Sequence, residues 1–255
     1  MKEYYISDDG IRLHAKLEMP PERTKCPILI IFHGITGHME ERHILAAAQT
    51  ALDAGMAALR VELYGHGESE GRFEDHTFFK WISNGLAVLD HVKTLDFVTD
   101  VYVCGHSQGG MLAMYCAKIR SRDIRGLIPL SPALVIPDAV SRGTLLDASF
   151  DPLCIPETVD VKGRKLKGDY FHVAQLLHTE DLYRDYRGPV LLIHADADEA
   201  VPVQYSVDAS HRYENCELVI IPGDSHNYQY HLEMVTEAMR KFLLKQTFGT
   251  EDGSV

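Results

Sequence analysis

Short, continuously apolar segments alternate along this chain with segments of helical periodicity. Residues 27–32 read Pro-Ile-Leu-Ile-Ile-Phe, an unbroken apolar run typical of a strand that helices cover on both faces. Similar strands are predicted at 57–63, 101–105, 126–130, 189–194 and 218–221, with helices at 42–54, 78–94, 110–120, 204–213 and 232–244. Alternating strands and helices favour parallel strand pairs. The chain is therefore predicted to be of the α/β class, with a mostly parallel central sheet and helices on both faces.

Two regions depart from this alternation. Residues 4–7 and 11–19 alternate in polarity around Asp9-Gly10, which predicts an antiparallel hairpin at the sheet edge. The stretch before residue 187 is rich in Pro, Gly, Asp and Leu, and structureless loops of such length are rare inside a compact domain, so we expect a small inserted cap there. The predicted division is a core of residues 1–131 and 187–247, a cap of residues 132–186 and a frayed polar tail of residues 248–255.

Composition narrows the classes of function. The chain has 255 residues, of which 45% are hydrophobic and 24% charged, as expected for one globular catalytic domain. Its net charge of −12 disfavours nucleic acid and anionic membranes as partners. The N-terminus lacks the apolar region of a signal peptide, and no stretch is long enough for a membrane span. We therefore expect a cytoplasmic enzyme whose partner is a small molecule, and we leave a homodimer open.

Metal and cofactor sites are not predicted. The cysteines are five, scattered and without a C-x-x-C pair, so we expect them to be small buried apolar residues. They are Cys26, Cys104, Cys116, Cys154 and Cys216. His38 and His43 flank Glu40-Glu41, but their spacing is not H-E-x-x-H, and the chain contains no glycine-rich phosphate loop. We expect no metal and no cofactor.

The pentapeptide Gly105-His-Ser-Gln-Gly109 stands between a predicted strand and a predicted helix. In a G-x-S-x-G elbow the serine occupies a sharp, strained strand-to-helix turn, and the glycines keep side chains out of the crowded neighbourhood. A Gly-Ser-Gly stretch by itself is often only a turn. The strand before it and the helix after it therefore carry the prediction that Ser107 is a catalytic nucleophile.

A serine nucleophile needs a base, and the base needs a carboxylate that holds its tautomer. His226 follows the predicted strand 218–221, and Asp196 and Asp198 follow the strand 189–194. Residues beyond neighbouring parallel strands gather at one edge of the sheet, where open α/β folds bind ligands. The order Ser, Asp, His is the one that α/β-hydrolases use. Because residues i and i+2 of an extended segment share a face, the residues leave both carboxylates open as the acid.

The oxyanion of the reaction needs two backbone N–H donors. The first is predicted at Gln108, the residue after the nucleophile. The second is predicted at Ile35, in the loop His33-Gly-Ile-Thr-Gly37 that follows the strand 27–32. The segment Tyr64-Gly-His-Gly67 also follows a strand and is predicted to form a turn that borders the active site. Asp224, shortly before His226, is predicted to be a turn residue.

Several motifs together resemble those of the bacterial cinnamoyl and feruloyl esterases of the α/β-hydrolase fold. They include His-Gly-Ile-Thr-Gly-His38, Gly-His-Ser-Gln-Gly-Gly110, Asp-Glu-Ala-Val-Pro202 and Gly-Asp-Ser-His226, with Phe150-Asp-Pro152 and Gly163-Arg-Lys-Leu-Lys-Gly168 in the cap. The similarity extends from the first hairpin to about residue 244. It implies an esterase for ester-linked ferulate, p-coumarate or caffeate that works through an acyl-enzyme. It also selects Asp198 as the acid, through the Ala-Val-Pro that follows.

The resemblance implies that the cap binds the ring hydroxyl of the aromatic acid. Asp138 and Tyr170 occupy the matching positions, and a carboxylate and a phenol can both hydrogen bond a buried hydroxyl. The chain departs from the family in having Ala195 and Ala197 in the acid loop. Its single tryptophan, Trp81, lies outside the cap. We therefore expect the aromatic wall of the pocket to come from Phe150, Tyr170 and Phe171.

Two other functions compete with this one. A general short-acyl carboxylesterase or monoacylglycerol lipase would use the same three catalytic residues. Its cap should be more uniformly apolar than this one, which carries four basic residues, Lys162, Arg164, Lys165 and Lys167. A non-catalytic receptor built on the same fold normally lacks one catalytic residue, and here Ser107, Asp198 and His226 are all present.

Overall fold

A central sheet of eight strands organises the computed structural model, which describes residues 1–21 and 23–248. In chain order the elements are β1 (Lys2–Asp8), β2 (Ile11–Glu18), β3 (Cys26–Phe32), α1 (Arg42–Asp53), β4 (Ala57–Val61), α2 (Phe78–Lys93), β5 (Val98–His106), α3 (Gln108–Ile119), β6 (Gly126–Leu130), α4 (Ile136–Ser141), β7 (Thr144–Leu145), β8 (Ala148–Ser149), β9 (Thr158–Val161), β10 (Arg164–Lys167), α5 (Gly168–Gln175), β11 (Val190–Ala195), α6 (Gln204–Ser210), β12 (Cys216–Ile221) and α7 (Leu232–Phe248). A short 3₁₀ turn spans Phe73–Asp75.

The sheet has the order β1-β2-β4-β3-β5-β6-β11-β12. Strands β1, β2 and β4 pair antiparallel, and every pair from β4 to β12 is parallel. The continuously apolar strands lie in the middle of the sheet. Helices cover both faces there, so side chains on both sides of each strand are buried. The predicted α/β class, the edge hairpin and the mostly parallel sheet are confirmed. In a parallel sheet the ends of β3, β5, β11 and β12 meet at one edge, and this edge positions the site.

Helix α3 begins at Gln108 rather than at the predicted residue 110, because the turn at Ser107 passes directly into the helix. Helix α6 ends at Ser210, three residues before its predicted end, and α7 continues beyond residue 244 to Phe248. The rest of the predicted tail, residues 249–255, lies outside the described residues.

Two apolar layers cover the sheet. One layer contains side chains of α1 and α7, such as Ala47 and Met239, against Leu29 of β3. The other contains side chains of α2 and α3, and it continues into the segment predicted as the cap through residues such as Leu166 and Phe171. The cap segment is therefore not held by a core of its own, because its apolar side chains share one cluster with the sheet.

The segment between β6 and β11 contains α4, the hairpin β7–β8, the hairpin β9–β10 and α5. Lys162 and Gly163 make the β9–β10 turn with φ of 52° and 74°, the left-handed conformation that tight hairpin turns require. Two basic residues of β10 hold the β9–β10 hairpin against the 3₁₀ turn at Phe73–Asp75. The Arg164 guanidinium lies 3.4 Å from the ring centroid of Phe73, and Lys167 pairs with Asp75 at 2.5 Å.

Three cysteines, Cys26, Cys104 and Cys116, are buried as expected, but Cys154 is exposed and Cys216 is partly exposed. The expectation was wrong for these two because Cys154 lies in a loop of the cap segment and Cys216 begins β12, an edge strand with one neighbour. Among the described residues, no helix combines the length and the apolarity that crossing a bilayer requires.

Candidate active site

Ser107 stands at a strained turn between β5 and α3. Its backbone φ of 56° and ψ of −121° lie in a region that residues other than glycine rarely adopt. A Cβ at Gly105 would collide with the carbonyl of Gly109, and a Cβ at Gly109 would collide with the carbonyl of His33. The glycines are therefore required by close backbone approach, and the side chain of Ser107 remains 8% exposed at the sheet edge.

The structure brings His226 and Asp198 together. His226 lies between β12 and α7, and its Nδ1 is 2.6 Å from Asp198 Oδ2, in the loop after β11. The other oxygen of Asp198 accepts the backbone N–H groups of Ala200 and Val201 at 2.8 and 2.7 Å. Burial opposes the charge on this carboxylate, but hydrogen bonds from His194 and His226 outweigh it and hold the pKa of Asp198 well below its usual value. Asp198 is thus held ionised against the ring of His226.

Asp196 occupies a different position from Asp198. It is exposed, and its Oδ1 accepts the backbone N–H of Gly223 at 2.6 Å across the loops that follow β11 and β12. Asp224, predicted to be a turn residue, accepts the backbone N–H groups of Ser225, Tyr230 and His231. Asp198, which the family resemblance selected over Asp196, is the carboxylate that contacts His226.

The loop after β3 lies directly against the elbow. A Cβ at Gly34 would stand 3.2 Å from Ser107 Cβ, which is tighter than ordinary side-chain contact, so the glycine favours this close approach of the loop. Ile35 is 6% exposed. The peptide group between Gly34 and Ile35 contains the Ile35 N–H, and its carbonyl oxygen, Gly34 O, accepts a hydrogen bond from His33 Nδ1 at 2.7 Å. His33 therefore orients this peptide group. Gln108, the other predicted oxyanion donor, is the first residue of α3, where backbone N–H groups have no partner inside the helix.

The turn Tyr64-Gly-His-Gly67 reaches the same loop. His66 Nε2 lies 2.5 Å from the carbonyl oxygen of Ile35, and its ring stacks against those of His33 and Trp81 at 4.9 and 5.2 Å between centroids. Burial lowers the pKa of His66 and lowers that of His33 far below its usual value. His33 is therefore neutral, because its Nδ1 donates to Gly34 O while its Nε2 accepts the N–H of Leu63. His66 has a carbonyl oxygen at each ring nitrogen, Ile35 O at Nε2 and Tyr64 O at Nδ1, and so joins its own turn to the loop after β3.

Sequence reasoning missed two further buried histidines. His106 donates from Nε2 to the carbonyl of His226 at 2.8 Å, and its ring stacks on that of His226 at 4.6 Å between centroids. His194 lies 3.2 Å from Asp198. Their positions in the sequence could have indicated them, because each lies at or near the end of a strand that leads to a candidate residue. His106 directly precedes Ser107, and His194 lies four residues before Asp198.

The predicted cap residues lie on two helices. Asp138 of α4 is exposed, and its Oδ2 accepts the hydroxyl of Tyr205 at 2.6 Å. Tyr170 of α5 is 1% exposed, and its hydroxyl donates to Gln108 Oε1 at 2.7 Å. Burial raises the pKa of Tyr170, so this hydroxyl stays protonated. The cap therefore contacts the elbow through the side chain of Gln108, whose buried Nε2 has no hydrogen-bond partner among the described residues.

The three aromatic residues predicted for the pocket wall are in contact. The rings of Phe150 and Phe171 lie 4.7 Å apart and those of Tyr170 and Phe171 lie 5.3 Å apart, both edge to face. Tyr170 also stacks on His76 at 5.0 Å. This cluster places aromatic surface next to the residue that follows Ser107.

Comparison with known proteins shows the family and the fold of this chain. The family model described as serine aminopeptidase, S33, matches residues 23–165. A solved structure of Est1E from Butyrivibrio proteoclasticus with ferulic acid bound is 54% identical, has a TM-score of 0.93 and covers 95% of this chain and 98% of its own. Mouse alpha/beta hydrolase domain-containing protein 10 shares the fold at a TM-score of 0.77 and 17% identity, over 96% of this chain and 99% of its own.

Curated relatives are more distant. Human ABHD12B is 24% identical over an alignment of 228 residues that covers 86% of this chain and 61% of that protein's length. Rat monoglyceride lipase is 29% identical over an alignment of 157 residues that covers 60% of this chain and 50% of the lipase.

Proposed function

Since this chain belongs to the serine aminopeptidase S33 family and, within the α/β-hydrolase fold, to the bacterial cinnamoyl and feruloyl esterases, we propose that it hydrolyses esters of hydroxycinnamic acids through an acyl-enzyme on Ser107. The enzyme is a carboxylic ester hydrolase. The observation that carries the substrate class is the 54% identity, over nearly the whole chain, to an esterase whose structure holds ferulic acid.

In the proposed mechanism the Ser107 hydroxyl attacks the ester carbonyl while His226 Nε2 takes its proton. Asp198 accepts from Nδ1 of the same ring, which keeps Nε2 free as the base and stabilises the imidazolium that forms. The N–H groups of Ile35 and Gln108 stabilise the oxyanion. His226 then returns its proton to the departing alcohol, and water, activated by the same histidine, releases the hydroxycinnamate from Ser107.

We assign the ring hydroxyl of the substrate to Asp138 and Tyr170. Tyr170 already donates its hydroxyl proton to Gln108, so it can offer a phenol only its lone pairs. Asp138 is an acceptor as well, since it receives a hydrogen bond from Tyr205. Both residues therefore suit a substrate hydroxyl that donates, as the para-hydroxyl of ferulate, p-coumarate or caffeate does.

The competing substrate classes are short-acyl esters and monoacylglycerols. The match to monoglyceride lipase supports the second of these. The test compares kcat/KM for methyl ferulate, methyl p-coumarate, p-nitrophenyl butyrate and a monoacylglycerol. We expect the hydroxycinnamates to be preferred by at least about tenfold, the worth of one hydrogen bond made to a substrate hydroxyl. A preference for p-nitrophenyl butyrate or the monoacylglycerol would overturn the proposed substrate class.

Ser107→Ala tests the nucleophile. Because the catalytic residues act as a unit, turnover of every ester should fall by about 10⁴-fold or more. Far-ultraviolet circular dichroism and the thermal midpoint should remain close to those of the wild type, since the substitution removes only the hydroxyl group of Ser107 and keeps its Cβ at the turn. More than a few per cent of residual activity in a clean preparation would exclude Ser107.

A further inference from the structure

Asp198 is held by more groups than a catalytic carboxylate needs in order to contact its histidine. Its Oδ1 accepts two backbone N–H groups, and its Oδ2 faces two histidines, His226 at 2.6 Å and His194 at 3.2 Å. His194 is the penultimate residue of β11 and has no exposed surface. A second histidine on the oxygen that binds the catalytic base can influence that base without touching the substrate.

The contacts of His194 define its tautomer. Its Nε2 lies 3.0 Å from the carbonyl of Val201 and 3.2 Å from Asp198 Oδ2, and both of these atoms can only accept. Nε2 must therefore carry a proton. In the neutral ring Nδ1 is then an acceptor, and the hydroxyl of Ser206, a fully buried residue 2.6 Å away on α6, donates to it.

We propose that His194 is a positioning residue for the Asp198–His226 pair, oriented in turn by Ser206. The Nε2–H of His194 donates to the carbonyl of Val201 at 3.0 Å, and Val201 in turn donates its own N–H to Asp198 Oδ1 at 2.7 Å. The same Nε2–H lies 3.2 Å from Asp198 Oδ2, beside His226 Nδ1. His194 therefore holds the loop that carries the carboxylate, and its N–H helps to hold the pKa of Asp198 below its usual value.

This inference rests on the proposed roles of Asp198 and His226, and it predicts a specific change in the pH profile. Without the His194 N–H, the Asp198 carboxylate loses one of the groups that hold its pKa down and becomes a stronger partner for a protonated base, so the base of the variant should take up its proton at higher pH than that of the wild type. The acid limb of the kcat/KM profile reports the protonation of the essential base in the free enzyme. That limb should move to higher pH when the donor is lost, whereas a purely structural defect would lower activity without moving it.

Other titratable groups face His226 and stay unchanged in the variants below. They are Glu199, whose carboxylate accepts the backbone N–H of His226, His106 beneath the ring, and His43 and Glu41 at the start of α1. A shift of the acid limb on replacement of His194 is therefore attributable to the lost N–H.

The variants are His194→Leu, His194→Asn and His194→Gln. Glutamine places its amide nitrogen the same number of bonds from the backbone as His Nε2, whereas asparagine stops one bond short and leucine has no donor. We expect the leucine and asparagine variants to lose about ten- to a hundredfold in kcat with little change in KM, which is the worth of one hydrogen bond to a charged group, and to move the acid limb to higher pH. The glutamine variant should stay within about fivefold of wild type and keep the acid limb.

His91→Leu is the matched control, since His91 is a partly buried histidine on α2 that contacts Tyr4 and lies outside the site. It should keep both the plateau and the acid limb. If the leucine variant does not fold, the comparison of the asparagine and glutamine variants carries the test. Equal profiles for these two, or an unmoved acid limb in every folded variant, would overturn the inference. An active Asp198→Asn enzyme would instead overturn the proposed catalytic acid.

Discussion

At the scale of single residues, the two aspartates after β11 have different partners. The Asp198 carboxylate accepts two backbone N–H groups and contacts two histidines. Because its neighbours are hydrogen-bond donors, an asparagine at this position would place its own NH2 group against another donor. Asp196, two residues earlier, accepts one backbone N–H from Gly223 in a solvent-exposed turn. The two aspartates therefore differ in what they hold, although they are neighbours in sequence.

The consequence is a ranking of two isosteric changes. Asp198→Asn should lower kcat by about 10³- to 10⁴-fold, because an amide N–H facing His226 favours the wrong tautomer of its ring. Asp196→Asn should cost about tenfold or less, since it weakens one turn contact. Both are measured as kcat for methyl ferulate at pH 7 in folded protein. The opposite ranking would show that Asp196 is the catalytic acid.

At the scale of elements, two hydrogen bonds join helices of the cap segment to helices of the core. Tyr205 of α6 binds Asp138 of α4, and Tyr170 of α5 binds Gln108 of α3. Helix α3 thus begins directly after Ser107 and contacts the cap segment through that first residue. Under the proposed function, a change at Tyr170 is expected to affect the Gln108 N–H as well as the contact with the substrate ring.

We predict that Asp138→Ala lowers kcat/KM for methyl p-coumarate by about ten- to a hundredfold and leaves methyl cinnamate, which has no ring hydroxyl, within about threefold. Tyr170→Phe should lower the rate for both esters, because it also leaves Gln108 Oε1 without its donor, and should lower methyl p-coumarate more. Tyr205→Phe is the control, since it removes the partner of Asp138 and keeps the carboxylate.

Equal losses on methyl p-coumarate and methyl cinnamate in Asp138→Ala would give that residue a packing role. No loss on either ester would remove it from the substrate site.

At the scale of the whole molecule, one apolar cluster joins the sheet face under α2 and α3 with the cap segment. Phe171 has no exposed surface and belongs to the same cluster as Trp81 of α2. Trp81 is the only tryptophan of the chain and packs edge to face against His33, the first residue of the loop after β3. Its fluorescence therefore reports the integrity of the core near the site.

Phe171→Ala should destabilise the protein by about 3–5 kcal/mol, the range for truncating a buried phenylalanine. Because the cap segment shares its cluster with the core, we expect one transition in urea, with the same midpoint by Trp81 fluorescence and by far-ultraviolet circular dichroism. Phe79→Ala, at a half-exposed phenylalanine of α2, is the matched control and should cost about 1 kcal/mol or less. Separate transitions for the two probes would mean that the cap unfolds independently.

The pattern of apolar runs was sufficient to predict the sheet and the position of the elbow. Burial on both faces requires unbroken apolar strands such as β3, and a glycine-serine-glycine stretch between strand and helix permits few backbone paths. These are local requirements, so the sequence carries them by itself. The burial of Cys154 was predicted wrongly because nothing local distinguishes a cysteine in a core strand from one in a loop of the cap segment.

The sequence alone determined the α/β class, the nucleophile candidate and the chain order of the candidate base and acid. Only the tertiary structure decided that Asp198, and not Asp196, contacts His226, and that His33, His66, His106 and His194 hold the parts of the site in place. The physical reason is the range of the interactions. Strand and elbow follow from neighbouring residues, whereas a hydrogen bond such as that from His106 to the carbonyl of His226 joins residues 120 positions apart and exists only once the strand ends have met at one edge of the sheet.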